Sequence, residues 1–195
     1  GKNINTARLV SIDSFGNVEW ISTDSVNMDL GQPSGVPAGA ISVGDLDQDG
    51  IGEVFLGDLV INGEDGSLHT TLGEYSGKSW ITFMMDLEKD GFHEVVTDFG
   101  IFEQDGTQRC DFFFPQGFVA IADINMDGTG EIVLTGNRFV SLYDNYCRLL
   151  DFWPTMDGGR AGAATIADYD GDGQPEIGIA SAIEYYVYET DGTWL

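Results

Sequence analysis

Apolar and polar residues alternate along this chain in short bursts of four or five. Nowhere do apolar residues recur at the 3.6-residue spacing of an amphipathic helix over a useful length. The clearest bursts come in pairs around a turn: "LVSIDSFGNVEWI" (9–21), "LVINGEDGSLHTT" (59–71), "IFEQDGTQRCDFFF" (101–114), "FVSLYDNYCRLLDFW" (139–153) and "YYVYETDGTWL" (185–195). β-Branched and aromatic residues flanking Gly- or Asn-containing turns predict hairpins. Between the hairpins lie further short strands, "AISV" and "EVFL", "FVAIA" and "EIVL", "AATIA" and "EIGIA". Each such pair brackets an acidic stretch.

Those stretches repeat: "GDLDQDGIGEVFLG" (44–57), "MDLEKDGFHEVVTD" (85–98), "ADINMDGTGEIVLT" (122–135) and "ADYDGDGQPEIGIA" (167–180). Their first aspartates, Asp45, Asp86, Asp123 and Asp168, are 41, 37 and 45 residues apart. The following turn residue (Gly66, Gly106, Asn145, Gly192) comes 21, 20, 22 and 24 residues later, so loop and hairpin form one unit in register. A unit of strand, acidic loop, strand and hairpin holds four strands in about 40 residues, which describes a β-propeller blade. A β-sandwich does not predict such regular copies. The expected fold is therefore all-β: a single repeat domain over 1–195, forming a β-propeller or an arc of one. It has an N-terminal half-blade (1–22) and full antiparallel four-stranded blades at 39–72, 79–114, 117–153 and 163–195. The opening half-blade and the first residue, Gly rather than Met, predict a processed chain or a piece of a longer propeller, or a ring completed from outside.

Within each acidic loop, oxygen-bearing residues fall at positions 1, 3, 5 and 9, with glycine at position 6 for the sharp bend and a backbone carbonyl on offer at position 7. Hard oxygen donors in this number suit Ca²⁺ better than Zn²⁺, which favours His and Cys, or Mg²⁺, which demands strict octahedral geometry. An EF-hand is excluded, because its bidentate Glu belongs at position 12, where the first copy has Leu56 inside a strand. The loops resemble the calcium loops of integrin-α-type propeller repeats, the FG-GAP or VCBS-like family, in which Asp-x-Asp/Asn-x-Asp-Gly-x-x-Asp/Glu joins the first two strands of a blade. The resemblance covers all four units. It implies up to four structural Ca²⁺ ions, held by Asp45, Asp47, Asp49, the Ile51 carbonyl and Glu53; by Asp86, Glu88, Asp90, the Phe92 carbonyl and Glu94; by Asp123, Asn125, Asp127, the Thr129 carbonyl and Glu131; and by Asp168, Asp170, Asp172, the Gln174 carbonyl and Glu176. Loop two departs from the pattern: Glu88 is a methylene longer than the usual residue at position 3, and this site is expected to be the weakest or most distorted.

Charge supports that emphasis. The chain carries 33 acidic and 8 basic residues, a net −25, and the four loops alone hold fifteen of the carboxylates. Such a surface repels nucleic acid and anionic membranes. No apolar run approaches a membrane span, and a hydrophobic content of 42% is too high for a disordered chain. Cys110 and Cys147 lie in equivalent hairpins, and their spacing leaves open a disulfide or two separate buried thiols.

Catalysis finds little support. His69 falls in a hairpin strand and His93 at position 8 of loop two, and no nucleophile-elbow, phosphate-loop or zinc pattern is present. The aromatic clusters "DFFFP" (111–115) and "DFWP" (151–154), with Trp20 and Trp194, read as packing between blades, or as a rim for sugar or protein. The expectation is an extracellular or cell-surface, calcium-stabilised, non-catalytic scaffold for a protein or carbohydrate ligand. Its alternatives are a subunit that self-associates through the incomplete blade into filaments or layers, and part of a polysaccharide-processing enzyme.

Overall fold

The computed structural model describes residues 6–27, 41–73, 82–113, 117–136, 138–155 and 158–195. The expected unit bounds at 1, 39, 79 and 114, and Phe114 and Pro115 of the first aromatic cluster, lie outside them. All regular structure is strand. Among the described residues no helix is long and apolar enough to cross a membrane.

The N-terminal segment is one irregular hairpin: β1 (Thr6–Ala7) pairs with β4 (Val26–Asn27), and β2 (Val10–Ile12) with β3 (Val18–Ile21). Three four-stranded antiparallel meanders follow. Sheet one comprises β5 (Ser42–Gly44), β6 (Glu53–Leu56), β7 (Leu59–Ile61) and β8 (Leu68–Thr71). Sheet two comprises β9 (Phe83–Met85), β10 (Glu94–Val96), β11 (Gly100–Phe102) and β12 (Gln108–Asp111). Sheet three comprises β13 (Phe118–Ala122), β14 (Glu131–Gly136), β15 (Phe139–Tyr143) and β16 (Leu149–Pro154). Sheet four has β17 (Ala164–Ala167), β18 (Glu176–Ala180) and β19 (Tyr185–Tyr188), and its expected fourth strand is reduced to one bridge between Tyr188 and Trp194.

Successive sheets share their cores. Leu46, Phe55, Val60 and Leu72 of sheet one meet Val95, Phe99 and Phe102 of sheet two. Leu87, Val96, Ile101 and Phe112 then meet Val119, Ile132, Leu134 and Tyr143, and Ile124, Val133, Leu142 and Trp153 meet Ile177, Ile179 and Tyr188. Strands covered on both faces explain the continuous apolar runs of β6, β10, β14 and β18, where one-sided strands would alternate. Position 2 of the first three acidic loops is a peg in these cores: Leu46, Leu87 and Ile124 are buried. In the fourth copy that position is the exposed Tyr169, whose hydroxyl lies 2.6 Å from those of Thr165 and Tyr185.

A second contact joins each fourth strand to the next hairpin turn. The Trp20 ring lies over Gly66 and its Nε1 donates to the Gly63 carbonyl (2.8 Å), and Thr70 Oγ1 donates to the Asp105 carbonyl (2.9 Å). The Trp153 ring covers Gly192. In the corresponding place between sheets two and three, Cys110 and Cys147 form a disulfide with Cα atoms 5.9 Å apart. The turn residue in register with Gly66, Gly106 and Gly192 is Cys147, with φ of 58°, and not Asn145. Trp153 and Phe112 are buried, as the packing alternative anticipated, whereas Phe113, Phe152 and Trp194 are exposed.

The disulfide closes a loop across 37 residues of sequence, for which chain entropy gives a stabilisation of about 3–4 kcal/mol. Replacing both cysteines with serine should lower the unfolding free energy by roughly that amount, read as a lower urea midpoint, with an m-value no smaller than wild type because the uncrosslinked unfolded chain exposes more surface. An unchanged midpoint would show that the contact between sheets two and three does not depend on the bond.

Candidate metal loops

The four acidic loops share one backbone design. The position-9 glutamates Glu53, Glu94, Glu131 and Glu176 open the second strands of their sheets and are buried. Each turns Oε2 to the amide at position 2: Leu46 (2.8 Å), Leu87 (2.9 Å), Ile124 (2.8 Å) and Tyr169 (2.6 Å). The position-1 aspartate accepts through Oδ2 from the glycine amide at position 6: Gly50, Gly91, Gly128 and Gly173, at 2.9–3.1 Å. The position-5 aspartate accepts through Oδ1 from the amide at position 7: Ile51, Phe92, Thr129 and Gln174, at 2.7–2.9 Å. Two left-handed residues make the bend. Position 6 is glycine throughout (φ 92–97°), and position 4 is Gln48, Lys89, Met126 or Gly171 (φ 59–84°).

After these bonds are made, carboxylate oxygens remain. Asp45 Oδ1, Asp123 Oδ1 and Glu176 Oε1 are buried with no hydrogen-bond partner among the described residues. A buried carboxylate oxygen left bare is costly unless a cation or donor meets it. Acidic oxygens also converge. Asp45, Asp47 and Asp49 in loop one, and Asp168, Asp170, Asp172 and Glu176 in loop four, bring ligand atoms within 4.8 Å of one another. In loop three Asn125 takes the place of one acid; its Oδ1 accepts from the Asp127 amide (2.8 Å) and its Nδ2 donates to Glu131 Oε1 (3.0 Å). Burial pushes Glu53 and Glu131 above the usual carboxylate range, against the pull of the Leu46 amide in one case and the Ile124 and Asn125 amides in the other. The donor sets of loops one and four, all oxygen, convergent and partly bare, fit a hard divalent cation; loop three offers an all-oxygen set with one bare oxygen, on Asp123, and Asn125 in place of a converging acid.

Loop two does not fit in the same way. Both oxygens of Asp86 are bonded to backbone amides, Asp90 to Oδ1 and Gly91 to Oδ2, each at 3.0 Å, but so are those of Asp168 in loop four, to Gly171 and Gly173; what sets loop two apart is an arginine. The guanidinium of Arg109, on β12, donates to Glu88 Oε2 from Nη1 (2.8 Å) and to Glu94 Oε1 from Nη2 (3.0 Å). Its Nε bonds Glu103 Oε1 (2.6 Å) and Nη2 also reaches Glu103 Oε2 (3.1 Å). Burial opposes the charged guanidinium, but the bonds to Glu103 and Glu88 outweigh it and hold Arg109 protonated. Burial pushes Glu94 up to about 7, with the Leu87 amide and Arg109 opposing and Glu88 adding.

His69 is half-buried in its hairpin strand with Nδ1 2.9 Å from Asn62 Oδ1, and His93 has a buried Nδ1 with no hydrogen-bond partner among the described residues.

The two left-handed positions differ in what they tolerate. Nothing lies within 4 Å of a Cβ built on Gly171 or Gly173, so only backbone strain distinguishes them. Gly173→Ala should destabilise the chain by about 1–2 kcal/mol. Gly171→Asn, at a position filled by Gln, Lys or Met in the other copies, should stay within about 0.5 kcal/mol of wild type. Thermal melts of the two variants check the pair, and equal losses would contradict the shared design.

No family model matches this chain, and no curated protein matches it. Solved structures share its arrangement of antiparallel sheets. The V. cholerae biofilm matrix protein Bap1 aligns with 99% of this chain and 35% of its own at TM-score 0.66 and 20% identity. The rhamnogalacturonan lyase YesW aligns with 98% of this chain and 45% of its own at TM-score 0.56 and 17% identity. The chain thus spans between a third and a half of the proteins it resembles, and at these identities the likeness concerns the fold.

Proposed function

We propose that this chain is an arc of a calcium-stabilised β-propeller of the FG-GAP/VCBS-like kind, serving as a non-catalytic extracellular scaffold for adhesion or recognition. One observation carries the reading: equivalent loops each keep a buried, bare carboxylate oxygen, at Asp45, Asp123 and Glu176. Ca²⁺ would be held there by the acidic residues at positions 1, 3, 5 and 9, with Asn125 at position 3 of loop three and the carbonyls of Ile51, Thr129 and Gln174 at position 7. The bound ion would neutralise carboxylates that otherwise repel, and so couple loop closure to folding. Repeated sheets that share cores in chain order favour blades over a two-sheet sandwich.

The Cys110–Cys147 disulfide suits an oxidising compartment, where calcium is also plentiful. A matrix or surface role fits the likeness to a biofilm matrix protein, and a carbohydrate or protein ligand is the partner such a place offers. The non-catalytic reading is supported by the loop acids, which are engaged in loop closure, and by His69, which is paired with Asn62. Chelation should lower the melting temperature by several degrees and added Ca²⁺ should restore it, with Mg²⁺ restoring less. An identical melting curve in excess chelator would end the calcium reading.

The N-terminal hairpin favours a second reading, self-association. Among the described residues β2 and β3 have no inner neighbour, and Val10, Ile12, Val18 and Ile21 are each about half exposed. Strands from a second copy would cover them by edge addition. Light scattering of the calcium-loaded chain should then show species larger than a monomer that dissociate on dilution. A monomer at high concentration counts against assembly.

A further inference from the structure

The structure assigns loop two a cation of its own: we propose that the Arg109 guanidinium replaces calcium there, so that the chain takes three ions and not four. This rests on the calcium reading of the other loops but makes a separate claim. Arg109 contacts the side chains at positions 3 and 9, Glu88 and Glu94, two of the positions from which the other loops would hold an ion. Among the described residues loop two is the one acidic loop with no buried carboxylate oxygen left bare, because Arg109 takes the second oxygen of Glu94. The extra methylene of Glu88 now has a purpose. A glutamate at position 3 extends to a guanidinium, where the shorter aspartate of loops one and four serves a central ion.

Arg109 reaches the loop because of where it sits. In the β11–β12 pair Ile101 opposes Cys110 and Phe102 opposes Gln108, so Arg109 is the extra residue of a β-bulge. The same bulge occurs in sheets one and three, where the extra residues are His69 and Leu150. A bulge bends its strand and re-aims the extra side chain. Only in sheet two is that side chain a permanent cation, and its planar fork spans two carboxylates at once. Glu103, at the turn of the same hairpin, takes the remaining face.

The test is a calcium count by native mass spectrometry together with hydrogen exchange in chelator and in Ca²⁺. In the wild-type chain three ions are expected. Segments 45–53, 123–131 and 168–176 should gain protection with Ca²⁺, while 86–94 is already protected in chelator and unchanged by the ion. Arg109→Leu, which installs the residue found at the sheet-three bulge, should raise the count to four and make 86–94 calcium-dependent. Arg109→Lys keeps the charge and should hold the count at three. Four ions in the wild type, or protection of 86–94 that appears only with Ca²⁺, overturns the proposal. So does an Arg109→Leu chain that leaves 86–94 protected in chelator. If no ion binds at all, the calcium reading of the other loops falls, while the exchange of 86–94 in chelator, with and without Arg109, still decides what Arg109 does. Should Arg109→Leu fail to fold, the wild-type count and exchange pattern decide alone.

Discussion

In every unit a buried glutamate at the head of the second strand holds, through one oxygen, the amide two residues into the loop that precedes it. That bond fixes where the loop closes on its sheet. The residue whose amide is held is also the peg driven between this sheet and the next: Leu46, Leu87 or Ile124. Loop closure and sheet-to-sheet packing are thereby one event, and the energetic difficulty of both is the same. A carboxylate is taken out of water among other carboxylates, and its second oxygen must find positive charge or a donor. In sheet two Glu94 finds Arg109, and in sheet three Glu131 finds the Asn125 amide. In sheet four Glu176 Oε1 finds no partner among the described residues, and in loops one and three the bare oxygen is on the position-1 aspartate.

The outer contacts vary more freely. Fourth strand meets next turn through an indole over glycine, a threonine hydroxyl on a carbonyl, a disulfide, and again an indole over glycine. What is constant is the space, which requires a left-handed turn residue without bulk. Glycine meets that need at Gly66, Gly106 and Gly192. Cys147 adopts the same conformation with a side chain, and the covalent bond to Cys110 accompanies that costlier geometry. The joint tolerates different chemistries because any of them that fills the gap keeps the two sheets in step.

This division explains what could be read from the residues. The loops were legible because each is a local object: spacing of acids, glycine at position 6, then a β-branched strand. The hairpins were legible because alternation and turn residues are local too. Arg109 was not. It lies on a bulge, where alternation breaks, so the pattern of the strand cannot say which way the side chain points. The available hint was the glutamate at position 3 of loop two, which marked the site as unusual without naming a partner. Position 2 was equally hidden, since it stands inside an acidic loop and yet belongs to the core between sheets. Asn145 is the residue type that favours a turn, but register with the other hairpins depends on long-range pairing and puts Cys147 in its place.

Arg109 and Cys110 are neighbours, and their consequences meet at one joint. Arg109 ties together loop two, whose peg Leu87 lies in the core between sheets two and three. Cys110 bonds to Cys147 across the same pair of sheets. The middle of the array is thus fastened by charge and by covalent bond, both supplied by two consecutive residues of β12. The joint between sheets one and two has neither: its peg Leu46 belongs to a loop with a bare oxygen, and it is spanned by neutral hydrogen bonds, from Thr70 to the Asp105 carbonyl, from Gln104 to the Leu46 carbonyl and from Gln48 to the Gly91 carbonyl. The joint between sheets three and four has Trp153 on Gly192 but again a loop with a bare oxygen beneath its peg. Local stability follows the weakest fastening in each unit, and the weakest lie at the flanks, where loops one and four keep buried carboxylate oxygens bare. A repeat protein built from equal units would open anywhere; here the units are unequal, and the fastenings concentrate on sheets two and three.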